Sequence, residues 1–471
     1  MKLTKDELLS LVRNDARPMT LHEKVRLTIL LSLPAMVAQI SSIAMQIIDA
    51  AMLGHLGTKE AAMVGLVSTT TWMFGGFCGA FAAGFSVQVA HLVGAENLKE
   101  ARNVIRQGLF SGLLFSLIMA CIGIGIAPIL PHWLGADANI CQGASDYFTI
   151  IAMSLPLMEI NMLSAGCLRC SGNIKVPSLL NAMMCALDVI FNYIFIFILH
   201  LGTMGAAYAT LLSCFITMCC MVYFLVKKDK QLRFSLDDNF TKYFSIAQYI
   251  PTKQSLLKTL RIGSPIGLER GVMCGAQIAI TSIIAPLGSV AIAANTFGIN
   301  IESLCYMPGY GISDAATTLV GQSLGAKRKD MMRSFAWISV CLGMITMAFM
   351  GILMWIFAPE LMHIVTNDKN VINLGTSILR IEAWAEPMFA ASIVAYGVFV
   401  GSGKTLAPSV LNLASIWGIR LSLALILAPK MGLRGVWIAM CIELCWRGAI
   451  FLLRLSRQGW SNFEYKNKPP K

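Results

Sequence analysis

The string SGNIKVPSLLN at residues 171–181 returns as SGKTLAPSVLN at residues 402–412, at a constant shift of 231 residues. The same shift pairs Pro34 with Pro265. Glycine and proline that recur in one register at the ends of apolar segments indicate an internal repeat. The sequence therefore predicts two halves that share one fold.

The composition places both halves in a membrane. Of 471 residues, 56% are hydrophobic and 13% charged, and the mean hydropathy is +0.68; soluble domains carry about 25% charged residues. Twelve apolar runs approach or exceed the roughly 20 residues that cross a bilayer as a helix. They fall near 27–53, 61–93, 107–129, 144–168, 177–199, 204–226, 262–284, 291–323, 334–358, 371–399, 406–428 and 434–456. We predict an all-α integral membrane protein with twelve transmembrane helices in two pseudo-symmetric six-helix bundles.

Equivalent positions of the two halves are separated by six spans. Because six is an even number, both halves have the same orientation in the membrane and form a parallel repeat. The domain boundaries follow from the repeat. We expect an N-terminal bundle at 1–227, a cytoplasmic linker at 228–260, a C-terminal bundle at 261–458 and a cytoplasmic tail at 459–471. Pro34 and Pro265 are expected in the first turns of spans one and seven, where helical N–H groups lack partners.

The basic residues predict the orientation. Of 37 Lys and Arg, 29 fall on the side that holds both termini when loops are counted alternately. By the positive-inside rule, both termini are then cytoplasmic. The net charge of +12 therefore describes topology and contact with anionic membrane lipid, and we expect no nucleic-acid partner.

The string GSGKT at 401–405 resembles part of a phosphate-binding loop. The first glycine that such a loop requires is replaced by Val398, and no soluble domain supplies the preceding strand. We interpret it as a turn between spans ten and eleven, so that ATP is not the energy source. The spans also lack a His-Glu-x-x-His pair and a Gly-x-Ser-x-Gly elbow, and we therefore predict that the protein is not an enzyme.

Two acids in the apolar runs have no counterpart in the other half. Asp49 pairs with Ile280, and Asp188 pairs with Ile419. A charged side chain at membrane depth costs at least a few kcal/mol, so such residues usually mark an ion or substrate pathway. The alternative is an acid that is hydrogen-bonded to a neighbouring helix for packing alone. We favour the pathway, because both acids fall at a similar depth in one bundle.

Oxygen-bearing side chains accompany these acids. Asn192 lies one turn after Asp188, Asn181 roughly two turns before it, and Thr210 adds a hydroxyl from span six. Oxygen ligands suit a hard cation, so Na⁺ is a possible ion at Asp49 and Asp188. Desolvated carboxylates that lie close together also carry H⁺, and the sequence leaves the choice open.

Other acids in the spans are secondary candidates. Glu269 stands where the first half has Ala38, Glu386 stands where it has Leu155, and Glu159 lies in span four. Arg270, Asp314 and Arg420 are further charges of the second half without a counterpart. Glu269, Arg270 and Asp314 fall toward the cytoplasmic ends of their spans, which favours interfacial ion pairs as the alternative for these three.

Several motifs together resemble the multidrug and toxic compound extrusion (MATE) family of secondary transporters. They are LPAMVAQISSIAMQIIDAAMLGHLG in span one, VGAENLKEAR and VGQSLGAKRKD after spans two and eight, IIAPLGSVAIAAN between spans seven and eight, and LDVIFNYIFIF in span five. The resemblance covers nearly the whole chain. Met184 departs from it, because many members carry Asn there.

The resemblance implies a V-shaped pair of bundles around a central cavity. It implies export of cationic or amphipathic drugs or toxic metabolites in exchange for Na⁺ or H⁺, without a cofactor, with Asp49 and Asp188 at the motif positions of the cation-coupled acids. We expect a monomer in the cytoplasmic (inner) membrane of a prokaryote. The alternative is a flippase for lipid or lipid-linked precursors, which would line its cavity with several basic residues to hold pyrophosphate.

Overall fold

The computed structural model describes residues 3–14, 17–135, 138–234 and 249–461. Within them the chain is helical and has no β-strand. Residues 235–248 of the predicted linker and 462–471 of the predicted tail lie outside the described residues. The helices of the first half are α1 (Lys5–Arg13), α2 (Leu21–Leu56), α3 (Thr58–Gly94), α4 (Leu98–Ile126), α5 (Leu130–Trp133), α6 (Ala138–Cys170), α7 (Lys175–Asn192) and α8 (Gly202–Tyr223).

Within the described residues, the second half repeats the order of the long helices of the first half, and no separate helix corresponds to α5. Its helices are α9 (Lys253–Ile284), α10 (Ser289–Gly325), α11 (Lys329–Val365), α12 (Lys369–Glu382), α13 (Glu386–Gly401), α14 (Leu406–Ser415), α15 (Ser422–Met431) and α16 (Leu433–Ser456). Short π-helical segments extend α7 (Tyr193–Ile198) and α8 (Phe224–Lys228) and join α14 to α15 (Ile416–Leu421). The 3-10 turns are Ala285–Leu287 and Gln458–Trp460.

These helices form the predicted membrane spans. Ten helices of the described chain are long and apolar enough to cross a bilayer, and the bent pair α12–α13 forms an eleventh span. Helix α10 is the twelfth by its 37-residue length and its place between α2 and α11. The fold is an all-α membrane architecture of two six-helix bundles, called the first and second lobes below.

The spans begin earlier than their apolar runs, which corrects the expected position of two prolines. Helix α2 begins at Leu21, where Thr20 Oγ1 accepts the Glu23 N–H at 3.3 Å and Glu23 Oε2 accepts the Thr20 N–H at 2.9 Å. Pro34 therefore lies in the interior of α2, and Pro265 likewise lies inside α9. The expectation of a first-turn position was wrong because these caps start each helix before its apolar stretch.

The tenth span is broken between Glu382 and Glu386, where α12 and α13 meet at 59°. Pro387 follows the break and lacks the N–H that would bond the carbonyl of Ala383. That carbonyl lies against Gly351 of α11, where an added Cβ would be 2.9 Å away. A glycine on the neighbouring helix thus makes room for the bend.

The lobes meet on the face that carries the described termini. Gln322 of α10 donates to the carbonyl of Cys170 at 2.7 Å, and His91 Nε2 of α3 lies 2.8 Å from the carbonyl of Gly401. Gln88 donates to Thr259 Oγ1 at 2.8 Å in the same region. These contacts join the ends of the helices nearest the termini, so the described lobes are closed on that face.

Helix α1 lies across this seam. Arg13 donates to the carbonyl of Ser171 in the first lobe and to Gln322 Oε1 in the second, both at 3.2 Å. Leu8 and Val12 are fully buried in a core cluster that contains residues of both lobes. The amphipathic N-terminal helix therefore stabilises the closed arrangement.

Glycines at the seam give a first prediction. A Cβ at Gly94 would overlap the backbone carbonyl of Gln322 across the lobe boundary. Overpacking of this kind costs about 1–3 kcal/mol. We expect Gly94→Ala to push the lobes apart on this face, lengthening the distance between spin labels at Lys99 and Lys329, measured by pulsed EPR in a background without reactive cysteines.

Gly65→Ala is the matched control, because Gly65 lies on the same helix with no atom within 4 Å of an added Cβ. This variant should leave the distance distribution as in the parent protein. Equal distributions in all three proteins would contradict the packing of the seam described above.

Candidate functional site

The two unshared acids of the first lobe lie together. Asn192 Nδ2 donates to Asp49 Oδ1 at 2.8 Å and to Asp188 Oδ2 at 2.9 Å. The two carboxyl groups also interact directly with each other. Asp188 is fully buried and Asn192 is 1% exposed, whereas Asp49 keeps partial exposure. The pair is thus reached through Asp49.

Local structure positions the donors around Asp188. Asn192 lies one helical turn after Asp188, at the end of α7, where the helix widens into the π-helical segment. From α8, Ser213 Oγ donates to Asp188 Oδ1 at 3.1 Å, and Thr210 also interacts with this carboxylate. Three helices, α2, α7 and α8, therefore supply the site. Local departures from α-helical winding are frequent at functional sites.

The charge of this pair is not balanced by a base. Neither Asp49 nor Asp188 forms an ion pair with a Lys or Arg of the described residues. Asn192 Oδ1 is buried and accepts no hydrogen bond there. Two like charges in contact disfavour full ionisation of both carboxyls. The site can hold a shared proton, or a cation bound by carboxylate, amide and hydroxyl oxygens.

The remaining first-lobe candidates lie outside this contact network. Asn181 makes no hydrogen bond to the pair among the described residues. Glu159 of α6 is fully buried against α3 and α4, where its carboxylate interacts with the Cys78 thiol and has no other hydrogen-bond partner in the described chain. It lies against Gly112, where an added Cβ would be 3.1 Å from Oε1.

Glu269 lies in a polar site of its own in the second lobe. Its Oε2 accepts the Tyr396 hydroxyl and its Oε1 accepts Asn412 Nδ2, each at 2.7 Å. Arg270 packs its side chain over Gly76 of the first lobe, and Asp314 lies 4.0 Å from Arg169 across the seam. Arg270 and Asp314 therefore belong to the lobe boundary.

Glu386 is part of a cluster of buried acids in the second lobe. The sequence analysis selected Glu386 but missed the other two members, Glu302 and Glu382. Glu302 on α10 and Glu382 on α12 interact electrostatically with each other, and Glu302 does so with Glu386. All three are at most 5% exposed. Glu302 and Glu382 replace Thr71 and Ile151 of the first half. Acids in apolar runs that have no counterpart were the available signal.

Glu443 was also missed. Residues 431–439 match residues 201–209 after a one-residue deletion, so the shift there is 230 residues and Glu443 corresponds to Ser213 of the first half. It accepts Arg420 Nη2 at 2.7 Å and Ser415 Oγ at 2.6 Å, and it lies 3.2 Å from Arg447 Nε. The second lobe therefore has an ion-paired acid where the first lobe has a serine that donates to the unbalanced Asp188. No group of three or more His, Cys, Asp or Glu that could hold a metal ion occurs in the part of the chain that the structure describes.

Comparison with known proteins assigns the chain to one family. The MatE family model matches residues 34–194 and 265–426, in two segments that begin at Pro34 and at its repeat partner Pro265. The chain is 27% identical over 438 residues to the "probable multidrug resistance protein NorM" of Thermotoga maritima, covering 91% of this chain and 92% of that protein. It is 28% identical over 431 residues to the similarly named protein of Photorhabdus laumondii, covering 88% and 91%.

Solved structures have the same fold. A MOP superfamily transporter from Pyrococcus furiosus superposes with a TM-score of 0.86 at 22% identity, covering 97% of this chain and 98% of that one. An outward-facing MATE family transporter of the MOP superfamily gives a TM-score of 0.86 at 22% identity, with 97% and 99% coverage. The two-lobe architecture is thus shared with transporters.

Proposed function

This chain belongs to the MatE family, and from that premise we propose that it is a secondary active multidrug efflux transporter that exports cationic or amphipathic compounds in exchange for Na⁺ or H⁺. Members of the family are transporters and not enzymes, and they need no cofactor. Relatives with 27% and 28% identity carry the name multidrug resistance protein, which supports the substrate class.

The acid pair carries the proposal. Asp49 and Asp188 share one donor, Asn192, and have no basic partner among the described residues. Carboxylates of this kind at membrane depth need a proton or a cation. A coupling ion that neutralises the pair in one conformation and leaves it in the other provides the differential affinity that drives a conformational cycle.

Both coupling ions fit these residues. Carboxylate, amide and hydroxyl oxygens are ligands that hard cations prefer, and Asn192 Oδ1 is a buried oxygen without a donor in the described chain. The direct interaction of the two carboxyls equally suits one shared proton. Na⁺ or H⁺ therefore remain the two candidates, and Asn181 and Thr210 are proposed to contribute oxygens when Na⁺ is the ion.

The buried charges support a cationic cargo. Among the described span residues, six buried glutamates accompany Asp188, whereas Arg106 and Arg447 are the two buried bases. A flippase for pyrophosphate-linked lipids would need more buried basic residues than buried acidic ones. We propose that Glu159, Glu269 and Glu386 are secondary cation-coupling or cargo-binding acids.

Topology completes the proposal. The excess of Lys and Arg on the side of the termini supports cytoplasmic termini. We further propose a monomer in the inner membrane. The lobes, which meet on the face of the termini, are then closed toward the cytoplasm. We propose bundles at 1–227 and 261–458, joined by a cytoplasmic linker at 228–260 and followed by a tail at 459–471.

Transport of a fluorescent cationic dye tests the proposal. In inside-out membrane vesicles that contain the protein, we expect dye uptake when an ion gradient is imposed, because the gradient drives exchange. Dye uptake that an imposed Na⁺ gradient drives would identify Na⁺ as the coupling ion. Dye uptake that an imposed pH gradient drives would identify H⁺. Uptake that neither gradient stimulates, compared with vesicles lacking the protein, would overturn the proposal.

A further inference from the structure

A cavity of about 1000 Å³ lies at the seam between the lobes, on the face of the termini. The first lobe contributes the ends of α3 and α4 to its wall. The second lobe contributes the start of α9, the turn that contains Gly403 and Lys404, and Arg454 of α16. We call it the seam cavity. It lies far from the acid pair, which is near the opposite end of α2.

The wall of the seam cavity is basic. It carries Lys258, Arg261, Lys404 and Arg454, and its one acid among the described residues is Glu100. Lys258 and Arg261 have no carboxylate partner in the described chain. Burial, together with the nearby Arg454 guanidinium, lowers the pKa of Lys404. Cations held near one another in this way favour an anion between them.

Two buried groups of the wall lack a partner. Ser255 is 6% exposed, and its hydroxyl makes no hydrogen bond within the described residues. The Nε of Arg454 is buried and likewise has no acceptor there. Buried polar groups of native proteins are nearly always hydrogen-bonded, so two such groups in one cavity indicate a ligand with acceptor oxygens.

The backbone supports the same ligand class. Thr252, Gln254 and Ser255 line the cavity and form the start of α9, a 32-residue helix whose N-terminus favours negative charge. The GSGKT turn forms another part of the wall and is held against α9 by the hydrogen bond from Thr405 Oγ1 to the carbonyl of Ile262 at 2.8 Å. Helix N-termini and basic side chains together suit a phosphate group.

Exposed leucines accompany the seam cavity. Leu406 of the wall is 65% exposed. Leu257 and Leu260, which neighbour Lys258 and Arg261 in the sequence of α9, are 56% and 46% exposed. A free phosphate ion needs no such surface, whereas a phospholipid presents a phosphate and acyl chains together. We propose that the seam cavity binds the phosphate headgroup of an anionic phospholipid of the leaflet that faces the termini.

This ligand has a conformational consequence. Because both lobes contribute to the wall, a bound headgroup contacts both of them only while they are closed on this face. It therefore favours the state that the structure shows. Basic pockets between transmembrane helices at this kind of membrane face are suited to anionic headgroups.

Lipid binding to the purified, delipidated protein tests the proposal. We expect phosphatidylglycerol to bind and to raise the thermal-unfolding midpoint, and phosphatidylcholine to do neither. The double variant Lys258→Gln/Arg261→Gln should raise the half-saturating concentration of phosphatidylglycerol at least about tenfold, since two charge-assisted contacts are lost. Ser255→Ala, which changes no charge, should raise it about threefold.

The double variant Lys227→Gln/Lys228→Gln is the matched control. It removes two exposed cations from the same face outside the seam cavity and should bind phosphatidylglycerol as the parent protein does. Equal loss of binding in both double variants would overturn the site, because general surface charge would then explain it. Equal stabilisation by inorganic phosphate at the same concentration would overturn the lipid assignment.

Discussion

Asp188→Asn and Asp49→Asn are each expected to abolish ion-driven dye transport while leaving the protein folded and inserted. Asparagine preserves the shape of the side chain but removes the charge that a coupling ion must neutralise in each cycle. Insertion should be unaffected, because losing a charge lowers the cost of burial in the membrane. Dye uptake into vesicles under an imposed gradient should fall at least about tenfold, which corresponds to about 1.4 kcal/mol.

Glu159→Gln is the matched comparison, because Glu159 is also a fully buried acid of the first lobe but lies outside the Asn192 network. We expect a milder loss of transport in this variant. Equilibrium dye binding should remain near the parent value in all three variants, which separates coupling from substrate recognition. Full gradient-driven transport by both aspartate variants would refute their assignment and direct attention to Glu269 and Glu386.

The sequence predicted that Asp49 and Asp188 lie at a similar depth in one bundle, but it did not predict that they meet. Their spans run in the same direction and both acids fall at a similar depth, so only the rotation of each helix was unknown. Asn192 follows Asp188 by one turn, which fixes its face. Ser213 could not be predicted, because serine is common in apolar spans and its contact depends on how α8 is rotated against α7.

Helix breaks were less predictable, because they depend on neighbours that are distant in sequence. The repeat pairs Pro156 with Pro387, yet α6 continues through Pro156 and the tenth span breaks before Pro387. The carbonyl that Pro387 leaves without a partner is accommodated beside Gly351, whose counterpart in the first half is Ala120. The unbroken span of the first half thus has the methyl group of Ala120 on the adjacent helix, whereas the broken span of the second half has Gly351 there.

The sequence analysis missed three buried acids of the second lobe for a different reason. Glu302, Glu382 and Glu443 lie in apolar runs and have no acidic counterpart, so the same test that selected Asp49 applies to them. What the sequence could not indicate is their pairing. Glu443 is neutralised by two arginines, whereas Glu382 has no hydrogen-bond partner within the described residues. Burial alone therefore does not separate structural from functional acids.

This difference in pairing predicts opposite effects of the same substitution on stability. Glu443→Gln leaves Arg420 and Arg447 without their counter-ion, and the side chain of Arg447 is only 8% exposed. Removing one partner of a buried ion pair costs about 3–5 kcal/mol. We expect the thermal-unfolding midpoint of the purified protein to fall by several degrees, measured by the loss of the monodisperse peak in size-exclusion chromatography after heating.

Glu382→Gln is the control, because Glu382 is equally buried at 0% exposure but lies mainly among other acids and forms no ion pair with Arg420 or Arg447 within the described residues. Replacing an acid among acids with a neutral amide removes like-charge repulsion, so the midpoint should stay unchanged or rise. Equal losses of stability in the two variants would show that the arginines do not determine the effect. Because Glu443 stands at the position of Ser213, the result also bears on how the lobes differ. An acid that is neutralised by two arginines is a structural element, whereas we propose that the unbalanced pair of the first lobe exchanges its ion.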